Sequence, residues 1–221
     1  MSSAAIEYSI RRSQRARRIR ITVDAKRGVE VVLPLRATHQ HAADAVDELT
    51  PWINRRLLEL DRHKATVAAR GTTLPYLDGT LTLVSEPGRT RAHRRGDSLY
   101  VPADPADQQA AIERWYRRVA RDEFETRASR ACASAKLSYA KLTVRGQKTR
   151  WGSCTREGAL SFNWRLLLAP EAVLDYVVWH EVCHLAVMDH SPKFWGLVAE
   201  HCPDYKQHAA WLRRSGATLV L

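Results

Sequence analysis

The feature that most constrains this chain is a pair of histidines four residues apart, in the run His180-Glu181-Val182-Cys183-His184. In an α-helix, residues four apart project from the same side, about one turn from each other. Two imidazoles need that separation to bind one zinc ion. Glu181 projects beside the pair, where a carboxylate reaches a water at the metal without replacing a ligand. The run therefore predicts a helix that carries a metal site.

A third imidazole follows closely, because His190 lies six residues after His184. The Ser191-Pro192 pair behind it is a strong helix start, which holds the turn that presents His190. Three protein ligands with an open fourth position are typical of a catalytic zinc site, whereas a structural site is closed by a fourth ligand. We predict that His180, His184 and His190 bind Zn²⁺ and that Glu181 is the general base.

Other metal-ligating side chains lie near the motif. Glu200 is an alternative carboxylate ligand, although His190 completes the site with less intervening chain. We expect His201 and His208 to lie on helix faces without binding metal. The angular position of Cys183 turns it away from the two motif histidines, so we expect a thiol packed in the core.

Bulk composition places the chain among ordinary globular proteins, with 221 residues, 45% apolar residues and 27% charged residues. No apolar run approaches the roughly 18–20 residues that a transmembrane helix needs. The four cysteines form no CxxC pair, and the first residues contain no apolar signal segment. We therefore expect reduced thiols, a cytoplasmic location and no membrane partner.

Positive charge is the one unusual bulk property, at a formal net +11. Such a charge favours anionic partners such as nucleic acid or nucleotides, but a solvated basic surface explains it equally well. Five arginines fall within residues 11–18, between two predicted strands. This segment is either a nucleic-acid contact or an exposed hairpin loop kept soluble by its charge.

Apolar periodicity predicts an α+β fold with two domains. Residues 1–103 are expected to form a β-rich basic domain with one helical segment at 38–68, where Pro51 either starts a second helix or kinks the first. The segment Pro102–Pro105 is the predicted linker. Residues 104–221 are expected to form the catalytic domain.

Within that second domain, residues 107–138 predict a long helix that packs behind the metal-binding helix. A strand with polar Ser161 and Asn163 precedes the metal-binding helix, where zinc peptidases present an edge strand to an extended substrate. We predict that Asn163 and Arg165 contact the main chain or phosphate of a substrate.

Several further motifs occur in order along the chain, and together they resemble the YgjP-like metallopeptidases. They are Arg150–Cys154, Phe162–Leu166, His180–His184 with its continuation to Trp195, and Pro203–Tyr205. The resemblance covers nearly the whole chain. It implies a small sheet, a backing helix and an active-site helix in a gluzincin-like zinc peptidase core, akin to the SprT and WLM proteases of DNA–protein crosslinks. It also implies the same three histidine ligands and Glu181 as base.

The predicted function is that of a zinc-dependent hydrolase, with the peptide bond as the default substrate of this helix motif. The family has also been labelled UTP pyrophosphatase, which would direct the zinc centre at a phosphoanhydride. Against that alternative, we find no glycine-rich phosphate loop and no clustered carboxylates for Mg²⁺. A third possibility is a DNA-associated protease whose basic N-terminal region binds nucleic acid.

Overall fold

The computed structural model describes residues 6–24, 27–147 and 149–221, and it shows a mixed α and β fold with three small sheets. The strands in these residues are β1 (Tyr8–Ser13), β2 (Arg20–Asp24), β3 (Gly28–Pro34), β4 (Thr73–Tyr76), β5 (Gly79–Glu86), β6 (His93–Arg95), β7 (Ser98–Pro102), β8 (Lys141–Arg145), β9 (Gly152–Cys154) and β10 (Ala159–Asn163). The helices are α1 (His39–Arg70), α2 (Pro105–Ala135), α3 (Glu171–Cys183), α4 (Pro192–His201) and α5 (Tyr205–Ser215), with 3₁₀ turns at Trp164–Leu168 and Gly216–Thr218. The predicted α+β class is confirmed. None of the helices in these residues is long and apolar enough to cross a bilayer.

The chain divides into two compact units, residues 1–68 and 69–221. In the first unit, β3 lies between β1, which it pairs in parallel, and β2, which it pairs in antiparallel fashion. Alternating apolar residues of the sheet bury one face against α1, in a core of Ile21, Val29, Val31, Leu33, Ala42, Val46 and Ile53. The first five residues of the predicted N-terminal domain lie outside the described ranges.

Helix α1 is longer and less interrupted than the sequence predicts, because it continues through Pro51. A proline inside a helix removes one backbone hydrogen bond. Next to it, the Thr50 hydroxyl donates to the Val46 carbonyl at 2.9 Å. Val46 and Ile53, on either side of Pro51, are both buried in the same core. Burial of that apolar stripe holds the helix together where local propensity favours a break.

The second unit begins well before the predicted domain boundary at residues 103 and 104. Its first sheet has the order β4-β5-β7-β6. Leu81 of β5 and Leu99 of β7 share one buried cluster with Ile112 and Trp115 of α2. The division after residue 68 therefore differs from the prediction, because the apolar faces of these strands pack against the helix that follows them.

Helix α2 supports the remaining elements of the second unit. Asp104 caps its start by accepting from the Ala106 amide at 2.8 Å, and Lys136 ends it in the left-handed conformation at φ 55°. Its buried Arg127 donates to Asp175 and Glu171 of α3, each at 2.6 Å. These charge-assisted bonds attach the first turns of α3 to α2, as the prediction of a backing helix requires.

The third sheet has the order β8-β10-β9, with β8 parallel and β9 antiparallel to β10. Both edges of β10 are therefore paired. The strand predicted to offer an edge to substrate lies in the middle of the sheet, so that expectation is wrong. The edges of the sheet are instead β8 and β9.

Candidate metal centre

Three imidazoles converge at the end of α3. His180 lies in the last turn of the helix, His184 caps it in helical conformation, and His190 lies in the turn before α4. The Nε2 atoms of His184 and His190 are each 3.2 Å from Nε2 of His180, and the ligand atoms of all three lie within 4.8 Å of one another. Tetrahedral zinc with Zn–N bonds of about 2.0–2.1 Å separates its ligand nitrogens by roughly 3.3 Å. The observed spacing fits that geometry.

A hydrogen bond to the backbone fixes the tautomer of His184. The Nδ1 of His184 is 3.0 Å from the Val187 carbonyl oxygen. A carbonyl only accepts, so Nδ1 carries the proton of the neutral ring and Nε2 has its lone pair free. Burial lowers the pKa of His180 to about 4, helped by the neighbouring imidazoles of His184 and His190. Burial also lowers the pKa of His184. Neutral imidazoles are the form that binds metal.

One aromatic side chain, Phe194 of α4, packs against all three imidazoles. Its ring stacks on His184 at 4.3 Å and 22° between planes, and it meets His180 and His190 edge-on at 5.0 Å and 4.9 Å. Phe194 is fully buried. Within the described part of the chain, the buried Nδ1 of His180 has no hydrogen-bond partner. Ring packing, rather than a second hydrogen bond, therefore orients His180.

Glu181 is buried in α3, with 5% of its surface exposed. The backbone of β9 approaches its side chain closely, since a Cβ added to Gly152 would lie 2.5 Å from Oε1 of Glu181. Burial raises the pKa of Glu181 to about 8, while the positive charge of Arg150 opposes that shift. A carboxyl group with such a pKa is suited to accept and release a proton near neutral pH. A cation bound at the imidazoles would favour its ionised form.

Asn163 is 3% exposed, and its side chain supports a loop of the second unit. Its amide nitrogen donates to the carbonyls of Gln147 and Arg150, at 2.7 Å and 3.2 Å, while its oxygen accepts from the Arg165 amide. These bonds hold the segment between β8 and β9. Direct contact with a substrate, as predicted from the sequence, does not fit a side chain so enclosed.

Arg165 is partly exposed, and its guanidinium lies over the Trp164 ring, 4.6 Å from the ring centre. Trp164 itself is 1% exposed. No carboxylate of the described residues forms an ion pair with Arg165. The predicted contact of Arg165 with substrate thus remains open on geometric grounds, and the side chain has hydrogen-bonding capacity to spare.

The remaining candidates from the sequence lie apart from the three imidazoles. Glu200 is exposed on α4 and is absent from the group of converging ligand atoms. His201 stacks on Trp179 with ring centres 4.2 Å apart. His208 packs near Tyr176. Cys183 is buried, and burial raises the pKa of its thiol to about 12.

Two residues that shape this centre were not singled out from the sequence as part of it. Gly152 leaves room for Glu181, and Phe194 packs against the imidazoles. A glycine inside a strand often marks the close approach of another group, so Gly152 was the sequence signal for this contact. Phe194 follows the Ser191-Pro192 helix start, and it lies in the first turn of α4.

Comparison with known proteins agrees with the motifs. The sequence profile described as "YgjP-like, metallopeptidase domain" matches residues 17–215. No curated protein matches the chain. Among solved structures, the crystal structure of the metallopeptidase zymogen of Pyrococcus abyssi abylysin is similar, with 19% identity and a TM-score of 0.38, covering 41% of this chain and 93% of that chain. Because the profile spans most of the sequence, the chain belongs to the YgjP-like metallopeptidase family.

Proposed function

We propose that this protein is a zinc-dependent peptidase whose ligands are His180, His184 and His190. The observation that carries the proposal is the pair of 3.2 Å separations between imidazole Nε2 atoms. Two further facts support it. The Val187 carbonyl fixes the tautomer of His184 so that its lone pair faces the other rings. The family match supports a hydrolase of the metallopeptidase type.

Zinc held by three imidazoles with an open position supplies Lewis-acid chemistry, which polarises a carbonyl and acidifies a water. The residues of the chain supply the proton transfers. The Glu181 carboxylate takes a proton from the attacking water and then delivers it to the leaving nitrogen. Its enclosure beneath Gly152 holds it in one position and keeps its affinity for a proton high. Because Glu181 moves the proton, its removal should stop turnover without removing metal.

We further propose that an extended substrate lies along β9. This strand is at the end of the third sheet, and its first residue, Gly152, borders Glu181. Addition of a strand to a sheet edge gives main-chain hydrogen bonds to any sequence, so it suits a peptide substrate. The buried β10 offers no such edge. Peptides with a proline or an N-methyl group near the scissile bond should therefore be poor substrates.

The test compares Glu181→Gln with Glu200→Gln, a matched change at an exposed glutamate of α4. Both variants are expected to retain about one zinc per chain, measured by metal analysis, because neither residue belongs to the proposed ligand set. Glu181→Gln should lose cleavage of a peptide library by about a hundredfold or more, since general bases contribute roughly 10²–10⁴-fold. Glu200→Gln should cleave like the unchanged protein.

A parallel assay with UTP separates the proposed peptidase from a nucleotide pyrophosphatase. If phosphate is released from UTP in a Glu181-dependent way while no peptide is cut, the substrate assignment is wrong and the zinc assignment stands. Unaltered peptide cleavage in Glu181→Gln would refute the mechanism. An absence of zinc in the unchanged protein after loading would refute the metal centre itself.

Nucleic-acid association of the first unit is a separate proposal. Arg15, Arg17 and Arg18 are all exposed in the connection between β1 and β2, whereas Arg11 pairs with Glu30 and Arg12 binds two carbonyls. Contacts of several arginines to phosphates would make binding of duplex DNA fall steeply with added salt. Replacement of the three exposed arginines by glutamine should reduce that salt dependence. Affinity that stays the same between low and moderate salt would contradict it.

A further inference from the structure

A second cluster of nitrogen donors lies in the second unit, around Gly146. A Cβ added to this glycine would lie 2.6 Å from Nη2 of Arg117, 3.0 Å from Nε1 of Trp164 and 3.3 Å from Nη1 of Arg165. Two elements supply these atoms: Arg117 belongs to α2, and Trp164 and Arg165 begin the 3₁₀ turn that follows β10. All three groups donate hydrogen bonds and none accepts. The fold therefore brings more donors than acceptors to this point.

The charges of the cluster do not balance. Glu113 is the carboxylate that pairs with Arg117, at 2.7 Å from Nη2. Arg165 forms no ion pair with any carboxylate of the described residues. Two guanidinium groups and one carboxylate leave one positive charge uncompensated. Burial and the nearby Arg117 both lower the pKa of the Arg165 guanidinium, and Glu113 only partly opposes them.

The indole of Trp164 has an unpaired hydrogen-bond donor. Its Nε1 has no hydrogen-bond partner among the described residues, and Trp164 is only 1% exposed, so the donor is buried. A buried donor left unpaired costs about 1–3 kcal/mol, so native structures rarely retain one without a reason. The side chain of Arg117, by contrast, is 40% exposed. The cluster thus has an enclosed donor at its base and an arginine open to solvent.

We infer that Arg117, Trp164 and Arg165 form a binding site for an oxyanion, either a carboxylate or a phosphate group. One such group brings several acceptor oxygens and a negative charge. It would satisfy the unpaired indole N–H, compensate the excess positive charge and bridge the two guanidinium groups. Gly146 permits the convergence, because any side chain at this position would occupy the space between the donors. The inference uses no metal and is independent of the proposed peptidase activity.

The test follows the indole N–H resonance of Trp164 by ¹H–¹⁵N NMR in the full chain, with the resonance assigned through sequential connectivities. Inorganic phosphate and acetate are added in separate titrations, against sodium chloride at matched ionic strength. We expect the Trp164 resonance to shift and to saturate with at least one of the two anions. Saturation with phosphate alone assigns the site to phosphates, and saturation with acetate assigns it to carboxylates.

Variants separate a built site from general attraction to a basic protein. Arg165→Gln and Arg117→Gln are each expected to weaken binding at least tenfold, whereas Arg118→Gln, an exposed arginine on the same helix, should not. If Arg165→Gln does not fold, Arg165→Lys replaces it in the test, because lysine keeps the charge but loses the paired donors of the guanidinium. A Trp164 resonance that does not move with either anion, or that moves equally in Arg165→Gln, would overturn the inference.

Discussion

The two compact units differ in what they bury. In the first unit, the buried side chains of the described residues are apolar, and three strands pack against one helix. In the part of the second unit that the structure describes, five polar or charged residues are buried as well: Arg127, Ser161, Asn163, Glu181 and His184. The first unit is therefore stabilised by apolar packing. The second unit also buries polar and charged side chains, whose transfer out of water is costly.

The difference shows where the structure retains groups beyond the needs of folding. Arg127 is satisfied by carboxylates and Asn163 by main-chain carbonyls, so both serve the framework. Among the described residues no side chain forms a hydrogen bond or ion pair with Glu181, and its pKa is raised by burial, which the positive charge of Arg150 only partly opposes. A buried carboxyl without a compensating partner destabilises the fold, and such groups cluster at functional sites. The second unit thus contains buried polar groups that the framework satisfies and a buried carboxyl, that of Glu181, that lacks such partners.

Replacement of His184 by alanine should have the largest effect, because it removes a proposed ligand. We expect loss of bound zinc and a fall in peptide cleavage of roughly a thousandfold, since the metal contributes several kcal/mol of transition-state stabilisation. Zinc analysis and cleavage rates check this, with His208→Ala as the matched control on α5. Equal zinc content in the two variants would contradict the ligand assignment.

Ile53→Ala addresses the apolar unit. Ile53 is fully buried in the core of the first unit, so its truncation should cost about 2–5 kcal/mol of unfolding free energy through lost burial and a cavity. Denaturant titration measures the loss. Zinc content should stay the same, because Ile53 belongs to a different buried cluster from the three imidazoles. A variant that loses its zinc at temperatures where it remains folded would show that the two units depend on each other.

Gly152→Ala addresses the position of Glu181. The new methyl group would lie 2.5 Å from Oε1, so the carboxyl or the β9 backbone must shift. We expect turnover to fall by about a hundredfold, the scale of a misplaced catalytic group, with zinc retained. Gly196→Ala is the control, because nothing lies within 4 Å of the methyl it adds. Unchanged turnover in Gly152→Ala would mean that the close approach has no catalytic role.

Arg127→Gln should have the smallest effect of the four. The arginine is 8% exposed and donates to three carboxylates, but Glu171 and Asp175 remain partly exposed to solvent. We expect a loss of about 1–2 kcal/mol of stability, below the value for a fully enclosed pair. Thermal unfolding measures it, and Arg121→Gln on the exposed side of α2 provides the comparison. An equal loss of stability in both variants would show that the bonds from Arg127 to α3 contribute no more than an exposed ion pair.

The metal centre was largely predictable from the sequence. The i, i+4 spacing of His180 and His184 on an apolar helix, and the Ser191-Pro192 start behind His190, are local features that fix which way the side chains point. The structure brings the three side chains together as that reasoning requires. Helix geometry is determined by residues close in sequence, so short-range pattern was sufficient here.

The surroundings of that centre were decided only by tertiary structure. Sheet order made β10 an inner strand and placed β8 and β9 at the two edges, and strand pairing depends on partners distant in sequence. The contact of Gly152 with Glu181 joins residues 29 positions apart, and the donors around Gly146 come from α2 and from the 3₁₀ turn after β10. By itself, the sequence determined which residues offer chemistry and where its helices run. The packing of distant segments decided which of those residues are enclosed, which are left unpaired and which strands form the edges of each sheet. Burial and pairing are properties of neighbours in space.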